Sequence, residues 1–176
     1  HLEAIREAYP PQAHAALMNL LSSHDAPRAL HRFGWHDDTR DPAKIAEAKR
    51  RLLLAVFFQM TYPGAPTVYY GDEVGVTGGE DPYNRATYPW EDEGGQPDQA
   101  LLAQFKRLIA MRHANPVLRR GELLAPLFVD DQVVVMGRHL GDSVALVAVN
   151  NGREARRVRI ALPAGWTASQ WRDALD

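Results

Sequence analysis

Apolar and polar positions follow two periods along this chain, and the switch between them divides it. Leu2, Ile5 and Tyr9 share one helical face, so the chain opens inside a helical pattern. An apolar run over residues 16–21 is short enough for a buried strand and ends in Ser22-Ser23-His24-Asp25. Residues 28–40 mix His, Arg and Trp without a period, which predicts loop with a helical turn. Asp41-Pro42 then starts a helix over 42–60, with Asp as cap and Pro where its missing N–H costs nothing. Ile45, Ala48, Leu52 and Val56 line one face of it, while Lys44, Glu47, Lys49 and Arg50 lie on the others. Tyr62-Pro63-Gly64-Ala65-Pro66 stops that helix, and residues 67–70 read as a second strand. Strand, helix and strand make a βαβ unit with parallel pairing.

Residues 74–98 form a long loop rich in Gly, Pro, Asp and Glu, and loops of that length carry function or lack order. Tyr83, Tyr88, Trp90 and Arg85 argue for an ordered, binding-type loop. Asp98 caps a helix to residue 114, striped by Leu101, Leu102, Phe105, Leu108, Ile109 and Arg112. After Asn115-Pro116 the period changes to two. Runs at 123–129, 132–138, 143–150 and 155–162, separated by Asp130-Asp131, Gly141-Asp142 and Asn151-Gly152, predict an antiparallel meander. The fold expected is therefore α/β plus all-β, divided at 1–116 and 117–176.

Composition narrows the picture without changing it. A 176-residue chain with 45% hydrophobic and 24% charged residues is that of a globular protein. Its formal charge of −2 gives no field that would attract nucleic acid or an anionic membrane. Arg153, Arg156, Arg157 and Arg159 read as a solvated face. No apolar run reaches the roughly 18 residues that a spanning helix needs. The absence of cysteine excludes thiolate chemistry and favours a reducing compartment, the cytoplasm before a secreted setting. His31, His36 and Asp37 have no spacing that identifies a metal site.

Chemistry gathers where the two predicted strands end. His24-Asp25 follows the first and Gly71-Asp72-Glu73 the second, so parallel strands deliver titratable groups at the same end, as the active face of a (β/α) barrel requires. Read alone, Asp25 could equally cap the turn before Pro27, with His24 packed beside it.

Longer motifs at these places resemble the α-amylase family of glycoside hydrolases. Asn19-Leu20-Leu21-Ser22-Ser23-His24-Asp25 is similar to the family region that ends in His-Asp. Gly64-Ala65-Pro66-Thr67-Val68-Tyr69-Tyr70-Gly71-Asp72-Glu73 is similar to the segment where its last barrel strand runs into Tyr-Tyr-Gly-Asp-Glu. Asp81-Pro82-Tyr83-Asn84-Arg85, with Pro89-Trp90 after it, resembles the following loop in cyclomaltodextrinases, neopullulanases, maltogenic amylases and related α-glucosidases.

The resemblance implies the last two strands and helices of a (β/α)8 TIM barrel, followed by a truncated antiparallel β-sandwich. A whole barrel takes about 250 residues, so the nucleophile and acid/base carboxylates are expected upstream of His1, and this chain alone is expected to be inactive. The parent would be a retaining hydrolase of starch-derived or cyclic malto-oligosaccharides. A transglycosylase or isomerase of the same family remains open, as does a non-catalytic relative that serves interaction or transport. Asp25 would stabilise the transition state and His24 would contact hydroxyls of the same sugar at subsite −1. Asp81, Arg85 and Tyr83 would bind substrate further along, although Asp81 and Arg85 could instead brace their loop by pairing. Arg28, Asp72 and Glu73 would organise loops. Asp25 could itself pair with Asp72 or Glu73 as the reacting carboxylates, a reading the resemblance disfavours. No cofactor is implied; calcium is common in relatives, but no local run resembles a calcium loop. The expected partners are an α-glucan substrate and the missing part of the barrel, with a homo-oligomer left open.

Overall fold

The computed structural model describes residues 2–166 and 171–175. In chain order they form helices α1 (Leu2–Ala8) and α2 (Pro11–Ala16), strand β1 (Met18–Leu20), and helices α3 (Ala29–Arg32) and α4 (Pro42–Thr61). Strand β2 (Ala65–Thr67) and helices α5 (Gln99–Ala114) and α6 (Pro116–Arg120) follow. The chain then ends in strands β3 (Glu122–Leu123), β4 (Phe128–Val129), β5 (Val133–Leu140) and β6 (Ser143–Asn150). The described residues fall into two compact units, one within Met18–Gln59 and Ala65–Ile109, the other within His1–Leu17, Met60–Gly64 and Ala110–Asp176.

In the first unit β1 and β2 pair in parallel, with Met18 opposite Ala65 and Leu20 opposite Thr67. The helix between them begins where the Asp41 carboxylate accepts the Ala43 N–H at 2.9 Å. Its apolar face, Ala48, Leu52 and Val56, is buried with Leu101, Phe105 and Leu108 of α5. One polar side chain on α4 holds the strands together. Gln59 is buried, and its amide donates to the carbonyls of Asn19 (2.7 Å) and Thr67 (3.0 Å), one on each strand.

The second strand differs from expectation. Pairing covers Ala65–Thr67, not residues 67–70. Tyr69 and Tyr70 leave the ladder because the Arg28 guanidinium lies over both rings, 4.5 and 4.8 Å from their centroids, and donates to the Tyr70 carbonyl. At Gly71 the backbone then turns with φ +87°, where a Cβ would stand 2.7 Å from Val76. Only glycine fits that turn.

Helix α5 starts from two contacts of Asp98, which accepts the Leu101 N–H at 2.9 Å and pairs with Lys49 at 2.6 Å. An N-cap contributes about 1 kcal/mol and a partly exposed pair at most about 1 more. Asp98→Ala is therefore expected to lower the urea-derived unfolding free energy by about 1–2 kcal/mol.

In the second unit β5 is central. It pairs along its length with β6 and, on its other edge, with β3 and β4 in succession. The single strand expected over 123–129 is split because Pro126 sits in the gap and cannot donate to a ladder. The two-residue hairpin at Gly141-Asp142 forms as expected, with φ +57° at Gly141. The strand expected over 155–162 does not form. Val158 and Ile160 are only half-buried there and Leu162 is exposed, so the alternating face buries too little apolar surface to anchor a ladder, and Arg156 reaches Asp130 at 2.8 Å. Among the described residues this unit holds one antiparallel sheet. Buried Arg112, last in the α5 stripe, donates to the carbonyls of Met60, Tyr62, Gly64 and Leu118 within 2.7–3.2 Å. Among the described residues no helix is long and apolar enough to cross a membrane.

Candidate active site

His24 and Asp25 lie in the turn that follows β1, between Ser23 and Ala26, which bridge each other. The polar run after the strand favours this turn, since Ser23 Oγ accepts the Asp25 N–H at 3.2 Å and Pro27 prevents the strand from continuing. The His24 ring stands 3.2 Å from the Asp25 carboxylate, and both side chains are largely open, 63% and 75% exposed. The neighbouring carboxylate sets the orientation of the imidazole, and both groups keep free donor and acceptor capacity toward solvent.

Beneath that turn lies Arg28, fully buried. Its Nε donates to the Asn84 carbonyl at 2.9 Å, and one Nη donates to the Tyr70 carbonyl at 2.6 Å and to Asp72 at 3.1 Å. One side chain thus joins the segment after β1, the segment after β2 and the loop beyond. The turn is tied from above as well. Asn84, also fully buried, donates to the carbonyls of His24 (2.9 Å) and Ala26 (3.1 Å).

Asp72 is buried beside Arg28, so it cannot face an incoming substrate as Asp25 does. Burial pushes its carboxyl up to about 6, against the opposing pull of Ser22 and Arg28. A carboxyl whose folded pKa lies above its unfolded value binds its proton more tightly when folded, so this contribution to stability falls as pH rises from about 4 to 6 and stays low above that. Across that window Asp72 is expected to cost about 3 kcal/mol, at 1.36 kcal/mol per pH unit. Asp72→Asn, which cannot ionise, removes that slope. Urea midpoints of both proteins between pH 4.5 and 7 test this, and parallel pH profiles would contradict it. Glu73 is half-buried, with one carboxylate oxygen enclosed.

The loop residues stand close by in sequence and open to solvent. Arg85 pairs with Asp81 at 2.6 Å, their side chains 50% and 64% exposed, and Tyr83 is exposed between them. The pairing leaves both groups with further hydrogen-bonding capacity on their open sides. Trp90 is exposed and lies against Tyr88, the two rings tilted by 41° with centroids 4.4 Å apart. Ring nitrogens of His31 and His36 meet at 3.1 Å. An open cavity of about 510 Å³ is lined by Trp35, Lys49, Gln96, Asp98 and neighbours, and by none of His24, Asp25, Asp81, Tyr83 or Arg85. Among the described residues no three His, Cys, Asp or Glu side chains converge to hold a metal ion.

The structure thus brings Asp72 to Arg28, and joins the His24-Asp25 turn to the 81–85 loop through Asn84. Sequence reasoning did not find Asn84 or Gln59. Their partners are backbone carbonyls of distant segments, for which a sequence carries no signal.

The family model described as alpha amylase, catalytic domain, matches residues 2–95, just over half of the 176. The chain belongs to the α-amylase family. Its relatives include an amylopullulanase of Thermoanaerobacter thermohydrosulfuricus, 40% identical over 90% of this chain and 11% of the relative. Neopullulanase 2 of Thermoactinomyces vulgaris is 36% identical over 99% of this chain and 27% of its own length. Among solved structures, a cyclic alpha-maltosyl-(1→6)-maltose hydrolase from Arthrobacter globiformis aligns with a TM-score of 0.70 and 33% identity, covering 86% of this chain and 31% of that one. This α-amylase-family chain therefore spans between about a tenth and a third of the proteins it matches.

Proposed function

We propose that these residues form part of a retaining α-glucosidic hydrolase acting on starch-derived or cyclic malto-oligosaccharides. The observation that carries this reading is the open His24-Asp25 pair at the end of a parallel strand, clamped by Asn84 to a loop that presents Asp81, Tyr83 and Arg85. In a retaining glycosidase two carboxyl groups about 5–5.5 Å apart do the covalent chemistry, and hydrogen bonds to the sugar 2-hydroxyl strengthen as an oxocarbenium-like transition state forms. Asp25 accepts hydroxyls of the reacting ring, and His24 supplies a ring N–H to the same sugar. Asp81 and Arg85 grip the next ring through paired acceptor and donor, with Tyr83 against its face. Arg28, Asp72 and Glu73 act beneath the site by holding its loops.

The parallel β1–β2 pair is read as the last two strands of a (β/α)8 barrel, and residues 117–176 as part of a C-terminal β-sandwich domain. Names of relatives such as amylopullulanase, neopullulanase and cyclomaltodextrinase support α-glucan substrates, and the lengths of those relatives support a nucleophile and an acid/base supplied from outside these residues. The cysteine-free composition favours the cytoplasm. The test is to follow hydrolysis of maltodextrin by the full polypeptide with proton NMR. Release of the α-anomer first is expected, whereas β-anomer first, or no hydrolysis, sinks the proposal.

A further inference from the structure

Asn84 has a place that its neighbours do not share. Asp81, Tyr83 and Arg85 around it are open to solvent, yet Asn84 is fully buried. Its side-chain amide nitrogen spans to the carbonyls of His24 and Ala26, 60 and 58 residues earlier, and its backbone carbonyl accepts from Arg28. The His24 carbonyl belongs to the peptide plane that leads into Asp25. Holding that plane restrains the backbone from which the Asp25 carboxylate projects. The loop end is held just as closely: a Cβ on Gly78 would lie 2.2 Å from the Tyr83 carbonyl, and Gly78 accepts the Arg28 N–H at 3.0 Å. The loop cannot shift without moving the Asn84 amide, and the amide cannot move without releasing the peptide plane.

Resting on the function proposed above, we infer that Asn84 is a positioning residue that couples sugar held at the Asp81–Arg85 loop to the orientation of His24-Asp25. A substrate long enough to reach the loop then gains in turnover as well as in binding. The coupling follows from geometry: the Asn84 side-chain nitrogen, shared by the carbonyls of His24 and Ala26, and the backbone carbonyl of the same residue, held by Arg28, stand between the two contact sets. Misplacing a reacting contact by about 1 Å costs on the order of 100-fold in rate, so a modest release of the turn is measurable.

The experiment uses the full polypeptide with 4-nitrophenyl α-glucoside and 4-nitrophenyl α-maltotrioside, which share a leaving group and differ only in the rings that extend toward the loop. Asn84→Asp keeps the volume but sets a third oxygen against two carbonyls, and Asn84→Ala removes the bridge. In both, kcat on the trioside is expected to fall about 10–100-fold with KM changed less than about threefold, and the trioside-to-glucoside ratio of kcat shrinks toward one. Combining Asn84→Ala with Asp25→Asn lowers kcat no further than the worse single variant. Asn84→Ser, which keeps a donor in less volume, recovers part of the ratio and supplies the same comparison if the other two variants fail to fold. An unchanged substrate ratio in the folded variants, or additive losses with Asp25→Asn, overturns the coupling while leaving the glycosidase reading intact. Failure of the folded wild-type polypeptide to cleave either glycoside or maltodextrin overturns both.

Discussion

Replacing Arg28 by Met in the full polypeptide is expected to lower its unfolding free energy by about 3–5 kcal/mol, the cost of removing one member of a buried ion pair. The magnitude comes from what is left behind. Asp72 is 4% exposed, and without Arg28 its carboxylate has lost its ion-pair partner in a low-dielectric site. The carbonyls of Tyr70 and Asn84 lose a charged donor in the same step. The aromatic faces of Tyr69 and Tyr70 lose their cation too. The loss is expected to be larger at pH 7 than at pH 5, because the abandoned carboxyl relieves itself by taking up a proton. Adding Asp72→Asn to Arg28→Met therefore recovers part of it at pH 7. Urea denaturation at the two pH values measures both effects. A loss below about 1 kcal/mol would place Arg28 among side chains that merely fill space.

Asp25→Asn is expected to have the largest effect on activity, lowering kcat of the full polypeptide on maltodextrin about 10²–10³-fold with little change in KM. Hydrogen bonds to the sugar hydroxyls that strengthen only as the ring flattens supply several kcal/mol to this class of transition state, and each 1.36 kcal/mol is a factor of ten in rate. An amide of the same size keeps ground-state contact but loses the charge that a developing oxocarbenium ion feels, so the loss belongs in kcat. Asp25 is open and carries no part of the core, so the variant should melt within a degree or two of the wild type. His24→Ala is expected to lose about tenfold, the value of one hydrogen bond that strengthens in the transition state. Steady-state kinetics read both variants. An Asp25→Asn enzyme with unchanged kcat would remove this residue from the reaction.

Much of this arrangement was legible in the sequence because it is local. The βαβ unit followed from periodicity at Ile45, Ala48, Leu52 and Val56, from the Asp41 and Asp98 caps, and from strands that end in polar residues. The hairpin at Gly141-Asp142 followed from the turn chemistry that two-residue loops demand. What could not be read was set at long range. Tyr69 and Tyr70 have the composition of a strand, but a cation from Arg28 draws them out of the ladder. Arg112 continues an apolar stripe yet is buried to serve four backbone carbonyls. Gln59 and Asn84 look like surface amides until the fold places carbonyls beside them. The segment 155–162 alternates like a strand, but with Arg156, Arg157 and Arg159 along it there is too little apolar surface to hold it against a sheet.

The same distinction explains the site. His24-Asp25, Asp72-Glu73 and the 81–85 loop can be named from motifs, since each is a short run of residue types suited to sugar or loop. Their mutual placement depends on Arg28 and Asn84, whose hydrogen bonds join segments more than 40 residues apart.

His24 and Asp25 are proposed to assist a reaction whose nucleophile and acid/base come from outside these 176 residues. Initial rates of reducing-sugar release from the same maltodextrin, measured side by side for the isolated chain and for the full polypeptide, test it most directly. Hydrolysis by the full polypeptide and none by the isolated chain is the predicted result; comparable rates from both, or hydrolysis by neither, would contradict it.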